Sequence, residues 1–192
     1  MNSYSLMLFL HFVFMIAAVG ATAIAGLAAL RLRRVESAAD ALRWEELVRR
    51  VVPVFPVASI GLIGTGAYMT SKVWTWTAPW VVAGLAGLFM IMLLGAGVEG
   101  GRRRAARAEL RAAGLSQRAR RLLCDPAFWS AKVTTWTLIV SLFFVMTAKP
   151  SASICAAALA IALTCGVVGA VPFWAARGRS TESAARRQSD WA

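Results

Sequence analysis

Residues 5–34 read SLMLFLHFVFMIAAVGATAIAGLAALRLRR. From Ser5 to Leu30 the only ionisable side chain is His11, and the apolar run then closes on Arg31, Arg33 and Arg34. A helix that crosses hydrocarbon needs about 20 apolar residues at about 1.5 Å each, so this stretch predicts a transmembrane helix. Met1-Asn2-Ser3-Tyr4 carries no basic side chain. The basic cluster comes after the apolar run instead of preceding it, the order of an uncleaved anchor with its N-terminus outside rather than of a secretory signal.

Four further runs repeat the pattern. Val51–Met69 is entered through Pro53 and Pro56, whose missing N–H groups cost little in a first turn. The third run opens at Pro79-Trp80 and continues to about residue 98; the fourth opens at Asp125-Pro126 and becomes apolar from about residue 130 to Ala148. Lys149-Pro150 ends it. An alanine-rich fifth run covers Ser153–Trp174, with a kink or end expected near Pro172. The composition agrees: 59% of the 192 residues are apolar, only 16% are charged, and the mean hydropathy is +0.64. A water-soluble domain carries about 25% charged residues, and three cysteines do not make a disulfide scaffold. The expected fold is an all-α, polytopic bundle of five transmembrane helices (about 5–30, 51–69, 80–98, 130–148 and 153–174), forming one membrane domain. A basic cytoplasmic tail, 175–192, completes the chain.

The net charge of +12 would suggest nucleic acid in a soluble protein, but its placement excludes that partner. Six arginines lie in residues 31–50, eight in residues 99–125 and four after Trp174, against Lys72 and Lys149 on the other side. Basic loops stay in the cytoplasm, which predicts an N-out, C-in protein of a bacterial inner membrane. Between the spans, Ser37 with Asp40 resembles a capping box. Arg102–Ala113 reads as a basic helix stopped by Gly114, and Ser116 as the cap of a short helix ending at Cys124. Arg31, Arg33, Arg34, Arg102, Arg103, Arg104 and Arg107 are the candidates to face anionic lipid headgroups or an acidic partner.

Chemistry has few candidates. His11 is flanked by Met7 and Met15 at four-residue spacing, so the three share a helix face, and Met146 is expected at the same outer level. Imidazole and thioether donors suit haem iron or Cu(I), and an ionisable side chain within a span points to function by default. The bland reading is a histidine bonded to a facing Ser or Thr. Lys149 is either a snorkelling lysine at a helix end or the contact of an anionic group such as a haem propionate. With a single histidine, a second haem ligand would be Met146, Lys149 or a group from another chain. Glycines in span two (61, 64, 66) and near the end of span three (95, 97, 100, 101) mark close helix packing. No strand precedes them, which excludes a nucleotide-binding fingerprint. Apart from Glu99 at a rim, the spans hold no carboxylate, which disfavours a proton-coupled transporter, and no catalytic residue set can be assembled.

Leu10-His11-Phe12 through Gly20, Leu30–Arg34, Gly64-Thr65-Gly66, Pro79-Trp80-Val81-Val82 and Val145–Pro150 resemble, in this order, a bacterial family of integral membrane proteins of unknown function. The resemblance covers about residues 5–150. The Leu-His opening is similar, more distantly, to HemJ-type protoporphyrinogen oxidases and copper-resistance D-type membrane proteins. That likeness implies haem b or copper handling, with His11 as the ligand. Those families often place a Trp-Gly pair after the histidine and carry further histidines; here the residues are Ala17-Ala18-Val19-Gly20, and His11 is single. The leading expectation is a non-enzymatic membrane subunit or scaffold, partnered by other membrane subunits or by its own copies. A haem- or copper-binding protein centred on His11 is the alternative, and a small transporter trails.

Overall fold

The computed structural model describes residues 2–189, with side chains through Pro172 and that of Trp174. All regular structure in it is helical: α1 (Ser3–Leu32), α2 (Ala38–Val51), α3 (Val54–Val73), α4 (Pro79–Leu93), a π-helical turn (Leu94–Glu99), α5 (Gly100–Ala113), α6 (Gln117–Leu123), α7 (Pro126–Ala148) and α8 (Ala152–Ser189). Five helical stretches are long and apolar enough to cross a membrane, as the sequence leads one to expect. Between 17% and 39% of each apolar window is buried inside the chain, so most of that surface faces outward.

The boundaries arise from local chemistry. Asn2 caps α1 by accepting from the Tyr4 N–H at 3.2 Å. Ser37 accepts from the Asp40 N–H at 3.1 Å, and Ser116 from the Ala119 N–H at 3.1 Å, each satisfying an N-terminal donor that the helix leaves open. Asp125 does the same for α7 through the Ala127 N–H at 2.8 Å, with Pro126 at the first helical position. Gly114, at φ +63°, stops α5 where a side chain would be strained. Two features depart from the sequence reading. Instead of ending near Pro172, α8 runs through it to Ser189, so the backbone of residues 175–189 is helical and the Pro172 ring forfeits one bond to residue 168. The third span does not pass smoothly into α5 either, but widens into the π-helical turn.

The helices pack in two groups. α1 lies along α3, while α7 contacts α4 and α8. Small residues set the approach. Gly61 lies under Phe14, Gly84 under Met146, and Gly87 under Leu142. Gly166 meets Thr134 so closely that an added Cβ would overlap it, and beside it Thr137 Oγ1 donates to the Ala162 carbonyl at 2.7 Å. The end carrying the arginines is closed by α2, α5 and α6 around Leu32, Ala41, Leu110 and Ala119. At the far end, Ala83, Val145 and Cys155 pack beneath Trp80.

Candidate functional site

His11 projects from α1 onto α3, where its Nδ1 lies 2.8 Å from Thr65 Oγ1. That hydroxyl is 2.6 Å from the Gly61 carbonyl. It has one proton. With the proton donated to Gly61, the hydroxyl accepts from His11, so Nδ1 carries the ring hydrogen and Nε2 keeps a lone pair. Gly66 makes room, since a Cβ there would stand 3.5 Å from His11 Cε1. Met7 and Met15 are half-buried one turn to either side on α1.

The other two residues considered with His11 lie on a different part of the bundle. Met146 packs against Gly84 between α7 and α4. Lys149 takes the left-handed conformation that ends α7 (φ 47°). Its Nζ lies 4.1 Å from the Trp74 ring and 5.5 Å from that of Trp80. The two indoles meet edge to face at 5.2 Å. Trp74 is nine residues beyond Thr65 along α3, roughly 13 Å of helix. Lys149 therefore clasps the α3–α4 connection to the end of α7.

The denser polar site lies at the arginine end. Lys132 on α7 donates through Nζ to Glu99 Oε2, and both residues are buried. Glu99 closes the π-helical turn. The extra residue of such a turn shifts the register of the helix beyond it, bringing Glu99 to α7 and Arg103 to α1. Arg103 Nη2 donates to the Ala25 carbonyl at 3.1 Å, with its guanidinium 5.6 Å from the Phe128 ring. Arg107 Nη2 donates to the Glu45 carbonyl at 2.9 Å and lies 3.7 Å from Glu45 Oε2. Arg102 pairs with Asp125 at 2.6 Å. Glu45 lies in α2, outside the apolar run that begins at Val51. Burial pushes its carboxyl above the usual carboxylate range, against the pull of Arg103 and Arg107.

Two buried atoms in this cluster have no hydrogen-bond partner, Glu45 Oε1 and Arg103 Nη1. Both side chains line a cavity of about 10 Å³ between Ala29, Leu32 and Phe128. That is room for one water, and a site with polar groups on two sides suits one.

The seven arginines expected to face lipid or partner therefore divide. Arg31, Arg34 and Arg104 are exposed. Arg33 stacks over Trp129 at 5.0 Å, while Arg102, Arg103 and Arg107 turn inward to Asp125, Ala25 and Glu45. The sequence reading missed the Glu99–Lys132 pair, whose members are 33 residues apart. A carboxylate and an ammonium set just inside the same ends of two spans was the available signal. Among the described residues, no group of three His, Cys, Asp or Glu side chains could hold a metal ion. No family model, no curated protein and no solved structure matches the chain.

Proposed function

We propose that the chain is a non-enzymatic subunit or scaffold of a bacterial inner-membrane complex, with its N-terminus outside and its arginine end in the cytoplasm. One observation carries this: the charged groups between the helices tie the chain's own helices together, while glycines on α1 and α3 are left without a neighbour. An added Cβ at Gly20 or Gly64 would meet nothing within 4 Å, unlike those at Gly61, Gly84 or Gly166. Small residues in spans let another helix approach closely, so uncovered ones suit a neighbouring subunit. Gly64→Ile tests it. The chain itself should tolerate the substitution, whereas partner chains retained in mild detergent should be lost. Unchanged partner retention with Gly64→Ile would count against the proposal.

A second reading, haem b or copper handling as the family resemblance implies, is favoured by the fixed Nδ1–H tautomer of His11. Metal-binding histidines are commonly oriented through the second ring nitrogen, and here Thr65 supplies that contact. The donor set fits Cu(I), with Nε2 and the thioethers of Met7 and Met15 on one face. For haem, His11 is one axial ligand, and the second must come from another chain, because Met146 and Lys149 are engaged with Gly84 and the two tryptophans. When bound, such a group would supply one-electron chemistry. His11→Ala should abolish any bound chromophore or copper with helix content intact; a retained cofactor would exclude His11 as ligand.

A further inference from the structure

We propose that the groove between α2 and α5 seats the headgroup of an anionic phospholipid. The proposal rests on reading the arginine end as a lipid- or partner-facing surface, and it names the occupant. The groove has a volume of about 600 Å³. Arg43, Arg50, Arg107 and Arg111 line its walls, and Leu42 and Leu47 give it an apolar side.

The two carboxylates in the groove are already held by arginines. Glu45 is bound by Arg107. Glu46 lies 2.6 Å from Arg49 and 3.4 Å from Arg50; the hydrogen bonds from Arg49 bring its carboxyl down to about 2. Arg111 has no carboxylate within ion-pair distance among the described residues. Arg43 and Arg50 sit in pairs whose arginine side chains are 82% and 75% exposed. Such exposed pairs hold weakly and exchange readily for a phosphate. Four arginines against two glutamates leave a surplus of positive charge that suits a phosphodiester, which guanidinium groups bind through paired N–H donors.

Depth selects lipid over a soluble acidic partner. Arg50 immediately precedes the apolar run from Val51, and α2 leads into α3 through Pro53. The polar layer of a bilayer leaflet is about 5–7 Å thick, so the Arg50 wall lies inside it. Phosphates are already concentrated there, and Leu47, 39% exposed, offers a surface for the adjoining acyl chain.

The test uses the full chain, delipidated in mild detergent and titrated with phosphatidylglycerol or phosphatidylcholine, with bound lipid counted by native mass spectrometry. Phosphatidylglycerol should bind in preference. Arg50→Gln with Arg111→Gln should weaken it about 25-fold, from about 1 kcal/mol per basic residue, and leave phosphatidylcholine unchanged. Arg34→Gln with Arg104→Gln, which removes the same charge outside the groove, should weaken it by less than about threefold. Equal losses in the two double variants would overturn the proposal by reducing it to a general surface charge. Absence of any phosphatidylglycerol preference, or capture of a polyglutamate peptide in its place, would overturn it as well. None of these results depends on Gly64, so the groove and the subunit assignment fail separately.

Discussion

Lys132→Met is expected to be among the most damaging single substitutions in this chain. It would leave the Glu99 carboxylate, only 11% exposed as a side chain, without its ammonium partner. Arg103 is the nearest other cation, but its Nη2 is held on the Ala25 carbonyl. Breaking a buried pair from one side costs about 3–5 kcal/mol, and partial compensation by Arg103 sets the expectation near the lower figure. That is more than about a hundredfold in the folding equilibrium. Glu99→Leu should cost a similar amount by stranding Lys132. The double variant should recover most of the loss, because an apolar pair of similar volume often replaces a buried ion pair without penalty. Reversible unfolding in mixed detergent micelles gives all corners of the cycle, with a coupling of about 2 kcal/mol or more expected. Single losses below about 1 kcal/mol that simply add in the double variant would refute a buried, mutually dependent pair.

The far half of the bundle supplies two further tests. Thr65→Val removes the acceptor of the His11 Nδ1–H and should cost about 1–3 kcal/mol, with Thr65→Ser recovering at least half. Thermal unfolding checks it, and a loss below about 0.5 kcal/mol would mean that the bond does not hold the ring. Lys149→Ala gives up the contact with Trp74 and keeps the left-handed backbone, and should cost about 1 kcal/mol. Lys149→Gly gives up the same contact but relieves a strain of about 1–2 kcal/mol, so it should be the milder of the two. The reverse order in tryptophan-monitored unfolding would show that the indoles do not hold the ammonium.

The helices were legible in the sequence because each is decided locally: an apolar run sets the length, while Ser37, Ser116, Asp125, Gly114 and Lys149 mark the ends. Pro172 was misleading. One missing bond does not end a helix whose preceding turns are packed on α7. The π-helical turn was not legible, since Gly95, Gly97 and Gly100 suit close packing as well as a widened backbone. With it went the register that aims Glu99 at Lys132 and Arg103 at Ala25. For the same reason the arginines could be placed at one end of the bundle but not sorted into inward and outward sets. At the candidate site, His11 stood out as the single histidine within a span, whereas its bond to Thr65 depends on how α1 lies on α3. Met146 and Lys149 were grouped with His11 by membrane level alone, and level does not tell which helix a side chain faces.

The most direct measurement is to draw the chain from its native membrane in mild detergent and record composition and absorption on the same sample. A membrane subunit runs with other membrane chains at fixed stoichiometry, and the sample is colourless and free of stoichiometric metal. A chain that runs alone and carries a reducible Soret band or one copper per molecule would contradict the subunit assignment and move the function to His11.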